Sequence, residues 1–253
     1  MVQRLFGNFY NLIFIILISW GILVFNPHLA IADTSVSSPY QQREHPSPDG
    51  IGKYYMDREI AKYMGYTGAS WLERSRREAQ EKTNEVINLL NLKPNDTVAD
   101  IGAGTGYFTF RIAPLVPQGK VFAVDIQTQM LDIIGYLKED RNLTNIEGVL
   151  AIPTNPNLPD ESVDVALMVD SYHEFAYPQE MMTGIIQALK PGGRVILVEY
   201  RGENIFIPIQ RLHKMTQKQV IKEMQAVGLV WRGTEDILPS QHYMVFEKPQ
   251  INS

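Results

Sequence analysis

The chain of 253 residues predicts an α/β fold: a doubly wound, mostly parallel seven-stranded sheet with helices on both faces and an antiparallel last strand. Three observations predict it. Short apolar runs alternate with amphipathic helical stretches over about residues 97–200, which is the pattern of a parallel sheet joined by crossover helices. The run RVILVEY (194–200) is apolar nearly throughout, as a strand buried on both faces must be. Finally, two strands near 230–238 and 243–248 are separated only by the turn Pro239-Ser240-Gln241, so they form a hairpin and the last strand reverses direction.

The elements follow in order. Arg4, an apolar stretch densest from Leu12 to Phe25, and Ala30-Ile31-Ala32 together have the layout of a secretory signal peptide ending at residue 32. The apolar part is just short of the roughly 20 residues of a spanning helix. An uncleaved anchor is therefore the alternative, with membrane association through residues 5–25. Export, to a periplasm or its equivalent after cleavage near Ala32, is the expected localisation. Residues 33–56, rich in Ser, Pro, Gln and Gly in their first part, read as a linker. The domain then spans 57–253, beginning with a helical lid over 57–91: a short helix at 57–64 and a longer one opened by a Ser70/Glu73 capping box. Strands are expected at 97–101, 120–126, 149–152, 163–170 and 194–200. Pro178 opens one helix, and Thr216 with Gln219 caps the last.

The chemistry concentrates in VADIGAGTGYF (98–108). Gly102, Gly104 and Gly106 fall between a strand and a helix, where an open α/β sheet binds its ligand. Asp125 ends the next strand, 23 residues beyond Gly102, where a carboxylate can accept both hydroxyls of a ribose. A dinucleotide fingerprint G-x-G-x-x-G would need glycine at 107, which is Tyr107. A large side chain there suits a pyrophosphate poorly. Asp100 likewise favours an ammonium over a phosphate.

These segments, with VFAVDI (121–126) and LKPGGRVILVE (189–199), resemble the class I, Rossmann-like S-adenosylmethionine-dependent methyltransferases. The resemblance implies S-adenosylmethionine as cofactor, with Asp100 near its methionine amino group. Gly102, Ala103, Gly104 and Gly106 would form the turn lining its methionine and ribose, Asp125 would bind the ribose hydroxyls, and Ile126 would pack on the adenine. Many relatives carry an acid before the NPNLP turn (155–159) that contacts the adenine amino group; Thr154 stands near that place here. Asp170, Tyr172 and His173 follow the fourth strand of the domain, where such enzymes place acceptor-facing residues: Asp170 and Tyr172 to orient the acceptor, His173 to take a proton.

Several classes are excluded. Cysteine is absent, which removes disulfides, thiolate metal sites and thiol-dependent metalloid methylation. A net charge of −5 gives no footprint for nucleic acid. No N-P-P-Y follows the fourth strand, which argues against amino methylation of bases or glutamine. No metal site is expected, because no H-x-x-x-H or paired carboxylate spacing occurs; His213 and His242 read as structural. A small-molecule or lipid-like acceptor remains. The alternatives are an NAD(P)-dependent oxidoreductase and an S-adenosylmethionine-binding protein without turnover. The sequence sets no oligomeric state.

Overall fold

The computed structural model describes residues 38–250. The expected signal peptide or anchor, including the apolar stretch 5–25, lies outside the described residues. Among the described residues no helix is long and apolar enough to cross a membrane.

Seven strands form the main sheet: β4 (Thr97–Ile101), β5 (Lys120–Asp125), β6 (Ile146–Leu150), β7 (Val163–Val169), β8 (Leu189–Tyr200), β9 (Val230–Glu235) and β10 (Gln241–Glu247). Their order is β6-β5-β4-β7-β8-β10-β9. The pairs β4/β5, β4/β7, β5/β6 and β7/β8 are parallel, and β10 runs antiparallel to both neighbours. The chain therefore reverses its direction of travel across the sheet after β6, and a crevice opens between β4 and β7 at their carboxyl ends.

Strict alternation along the central strands builds two cores. Ala99, Phe122, Val124, Ala166, Met168 and Leu197 face one side, against α6 (Pro178–Ala188) and α7 (Gln217–Ala226). Val98, Val121, Ala123, Leu167 and Ile196 face the other, against α3 (Thr83–Leu89), α4 (Thr109–Ile112) and α5 (Thr128–Asp140). The Thr216 hydroxyl accepts from the Gln219 N–H and caps α7, and Pro178 opens α6, both as expected. Strand β6 begins three residues earlier than the apolar run 149–152 because this edge strand carries polar Glu147 on its exposed side.

The segment before β4 departs from expectation. Residues from Tyr40 onward are not a linker, and 57–64 is not a helix. They form an antiparallel meander of β1 (Tyr40–Gln42), β2 (Gly50–Tyr55) and β3 (Arg58–Ala61). Buried Glu59 organises it, accepting from the Ser47 N–H (2.9 Å), the Ser47 hydroxyl (2.5 Å), the Gly52 N–H (3.2 Å) and the Tyr54 hydroxyl (3.1 Å). The long helix expected after Ser70 is broken into α1 (Ala69–Leu72), α2 (Arg77–Glu81) and α3, with Lys82 left-handed between the last two (φ 52°). No capping box forms. Glu73 instead accepts from the Thr105 hydroxyl, and buried Glu81 accepts from Arg74, Arg77 and Tyr200. Long-range hydrogen bonds from Thr105 and Tyr200 have overridden local helical preference.

One buried pair fastens the meander to the domain. The Arg58 guanidinium meets both oxygens of fully buried Glu223 on α7 (2.8 and 2.9 Å) and donates to the His173 carbonyl (3.2 Å). Removing one member of such a pair leaves an uncompensated charge in the interior. Arg58→Ala should therefore destabilise the protein by about 3–5 kcal/mol, read as a lowered midpoint in chemical unfolding; a loss below 1 kcal/mol would show that the meander docks by other means.

Candidate active site

The glycine turn is built by the end of β5. The N–H groups of Gly102 and Ala103 both donate to the Val124 carbonyl (2.8 and 3.0 Å), which curls the chain over the neighbouring strand. Gly102 sits at φ +75°, and a Cβ there would lie 2.7 Å from the Ser171 Cβ. Gly104 sits at φ +55°, with Leu72 of the lid 2.5 Å from a would-be Cβ. A side chain at either position is both strained and obstructed.

Asp125 completes the turn. Its Oδ2 accepts from the Gly104 N–H and its Oδ1 from the Gln127 N–H, each at 2.9 Å. Burial holds its pKa above the ordinary carboxylate value, against the pull of backbone N–H groups at Gln127, Gly104 and Ile126. Each oxygen retains a lone pair, so a diol that donates to both would further favour the ionised form.

A cavity of about 730 Å³ lies over this edge of the sheet, within the roughly 300–1,000 Å³ of ordinary ligand pockets. Gly102, Gly104, Asp125 and Ile126 line it, together with Asp170, His173, Glu174 and His213. Tyr63, Met64, Trp71 and Leu72, from the segment before β4, also line it. Of the residues singled out from the sequence, six line the cavity: Gly102, Gly104, Asp125, Ile126, Asp170 and His173.

The others do not line it. Ala103 and Gly106 shape the turn from behind and are buried, and half-buried Thr154 lies off the wall. Asp100 is buried beneath the turn, where its Oδ2 accepts from the Thr109 hydroxyl at 2.6 Å; desolvation pushes its pKa up to about 6. Tyr172 points away from the cavity into the α6/α7 core, and its hydroxyl donates to Glu223 at 2.7 Å. Tyr107 also turns away: its hydroxyl meets Thr83 at 3.0 Å and the Arg111 guanidinium stacks 3.5 Å from its ring centroid.

Asp170 adopts a left-handed backbone (φ 48°) at the end of β7. Its Oδ2 accepts from Gln241 at 2.7 Å, whereas its buried Oδ1 has no partner. Burial, with Glu81 and Glu199 nearby, pushes this carboxyl well above the usual range. This buried acid lies next to the glycine turn and lines the cavity, whereas Asp100 lies beneath the turn.

His173 is fixed by Glu199, the last acid of β8. His173 Nδ1 lies 2.6 Å from Glu199 Oε2, and its backbone N–H donates to Oε1 at 3.3 Å. Burial alone would lower the imidazole pKa, but Glu199, with Glu174 and Asp170 beyond it, holds it above the usual value. His173 Nε2 faces His213 Nδ1 at 3.1 Å, and Glu174 Oε1 stands 3.8 Å and 3.4 Å from those two nitrogens. The roles of Glu199 and His213 were not predicted. Their separations of 26 and 40 residues from His173 carry no local pattern.

The sheet order, the pinned glycine turn and the acid ending β5 define a Rossmann-like, S-adenosylmethionine-dependent methyltransferase domain. Residues 92–247 match the family described as a methyltransferase domain, and the chain belongs to that family. Among relatives, the ubiquinone/menaquinone biosynthesis C-methyltransferase UbiE of Ectopseudomonas mendocina (strain ymp) is 29% identical over 116 residues, 45% of each chain. The demethylmenaquinone methyltransferase of Chlamydia muridarum (strain MoPn / Nigg) is 27% identical over 164 residues, 60% of this chain and 69% of that one. The match thus spans under half the length of the UbiE protein. Among solved structures, a SAM-dependent methyltransferase from Aquifex aeolicus superposes with TM-score 0.69 at 19% identity, covering 73% of this chain and 99% of that one.

Two residues on the cavity wall fit the cofactor: Asp125 for the ribose diol and Ile126 for the adenine face. Asp125→Ala should weaken S-adenosylmethionine binding tenfold or more, through loss of charge-assisted hydrogen bonds worth about 1.5–3 kcal/mol. Calorimetric titration checks this, with thermal unfolding to confirm the fold; unchanged affinity would place the ribose elsewhere.

Proposed function

We propose that the chain transfers a methyl group from S-adenosylmethionine to an apolar small-molecule or lipid-like acceptor bearing a hydroxyl or enol. The observation that carries this is the continuity of one cavity. Its wall includes both Asp125, suited to a ribose, and His173, which buried Glu199 holds from behind.

The cofactor supplies an electrophilic methyl on a sulfonium, so most of the protein's work is positioning. Asp125 and Asp170 anchor the two polar ends of the cofactor. Trp71, Phe175, Met181 and Ile209 offer an apolar wall for the acceptor. Ile205 and Phe206, 79% and 88% exposed, sit on the loop that leads into cavity-lining Pro208 and Ile209. An entrance of this kind favours lipophilic molecules over charged ones. The UbiE relative, whose name refers to a quinone pathway, is consistent with such an acceptor.

Glu199 holds His173 in one orientation, with Nε2 toward the cavity. Together with Glu174 and His213 it forms an end that stabilises positive charge. A proton leaving the acceptor is one cation that can be received there, which raises the electron density on the acceptor. Buried Tyr172 serves the site only through Glu223 and Arg58, as part of the frame beneath His173.

Incubation with methyl-labelled S-adenosylmethionine and a panel of phenols, hydroquinols and lipid extracts tests the reading. Label should enter the apolar fraction, and His173→Ala should lower turnover by roughly 10²–10⁴-fold with cofactor affinity little changed. Tight cofactor binding without label transfer to any acceptor would make the protein a binder rather than an enzyme, and label in protein or nucleic acid would contradict the acceptor class.

A further inference from the structure

We propose that His173 Nε2, His213 Nδ1 and Glu174 Oε1 form a binding site for a divalent transition-metal ion of the zinc type, open to the cavity. The proposal goes beyond methyl transfer and stands on donor geometry alone.

Three atoms with lone pairs converge there. Their separations are 3.1, 3.4 and 3.8 Å. An ion held about 2.0–2.2 Å from each donor in tetrahedral geometry needs donors about 3.3–3.6 Å apart, so the triad already has the right span. Small side-chain rotations suffice to close it. Two imidazoles and one carboxylate are also the donor set that zinc uses where one coordination position stays open, and imidazole nitrogen suits this class of ion. The open position would face the cavity that all three residues line.

The surroundings support the same ion. Glu199 Oε2, 2.6 Å from His173 Nδ1, fixes the proton of a neutral ring on Nδ1 and leaves Nε2 bare. A carboxylate behind a ligand histidine is the usual outer partner at metal centres, where it sets the tautomer and the ring orientation. Glu174 is held from the lid by the Met64 N–H, which donates to Oε1 at 3.1 Å and leaves that oxygen a further lone pair. The ligands come from two turns, 172–174 after β7 and 211–213 beyond β8, both one-turn 3-10 helices at the same edge of the sheet. Their 40-residue separation explains why no spacing motif announced the site.

Full-length protein, stripped with a chelator and folded by circular dichroism, should bind one equivalent of Zn2+ by calorimetry. Co2+ should give the intense visible bands of a four-coordinate ion. His213→Ala and Glu174→Gln should each weaken Zn2+ binding at least about 100-fold, and Glu199→Gln by roughly 10–100-fold. Thermal unfolding in chelator establishes that each variant is folded. Glu174, partly exposed, is the variant that carries the test should His213→Ala fail to fold. Zn2+ binding weaker than millimolar, or binding retained in both ligand variants, overturns the site. Cofactor titration in chelator separates the two readings: intact S-adenosylmethionine binding without Zn2+ binding defeats the metal site alone, and the reverse defeats the methyltransferase reading alone.

Discussion

The site depends on how the chain leaves β4. Two successive N–H groups, on Gly102 and Ala103, are claimed by one carbonyl, Val124, and the next free N–H, on Gly104, is claimed by Asp125. These bonds force left-handed backbone at residues 102 and 104, which only glycine adopts without strain while leaving room for Ser171 and Leu72. The same carboxylate that pins the turn faces the cavity. Cofactor seat and backbone geometry are thus one structure: the acid cannot be lost without also loosening the turn it anchors.

The His173 turn rests on a different constraint. Parallel β7 and β8 end side by side, so His173, just beyond β7, meets Glu199, near the end of β8, at 2.6 Å. Beneath them the chain buries a guanidinium and a carboxylate, Arg58 and Glu223, with Tyr172 and the His173 carbonyl completing the network. A buried ion pair of this kind is a weak source of net stability, but it fixes geometry strongly because no partner can move off alone. The N-terminal meander therefore does more than cover the cavity. It holds the His173 turn through Arg58, and Met64, just past β3, holds Glu174.

Local patterns were legible where one element's sequence sets its own burial. The apolar alternation of β4, β5 and β7, the glycines before α4, Asp125 after β5 and the terminal hairpin all repeat at strand or helix spacing, and the structure places them as expected. The meander was not legible. Its strands are three to six residues long, mix Tyr, Gln and Gly with few aliphatic residues, and are ordered by Glu59, whose hydrogen bonds reach back 12 residues to Ser47. The broken lid helix failed for a related reason. Glu81 is satisfied by Arg74 and Arg77 within the segment but also by Tyr200 across 119 residues, and Glu73 by Thr105 across 32, partners that no spacing inside the segment announces. Among the acids, the sequence pointed to Asp100 because it precedes the glycines. Strand alternation turns Asp100 away from the cavity and leaves Asp170, three residues before His173, with the unpaired oxygen.

That one crevice seats the nucleoside and faces the acid-base cluster is the claim on which the rest turns. A crystal structure of the full chain with S-adenosylhomocysteine tests it most directly. The account predicts the ribose hydroxyls on both Asp125 oxygens, the adenine against Ile126, and the amino acid tail toward Asp170, with open space between the sulfur and His173. A ligand seated on another face, or a crevice closed by Trp71 and Leu72 with no ligand in it, would contradict it.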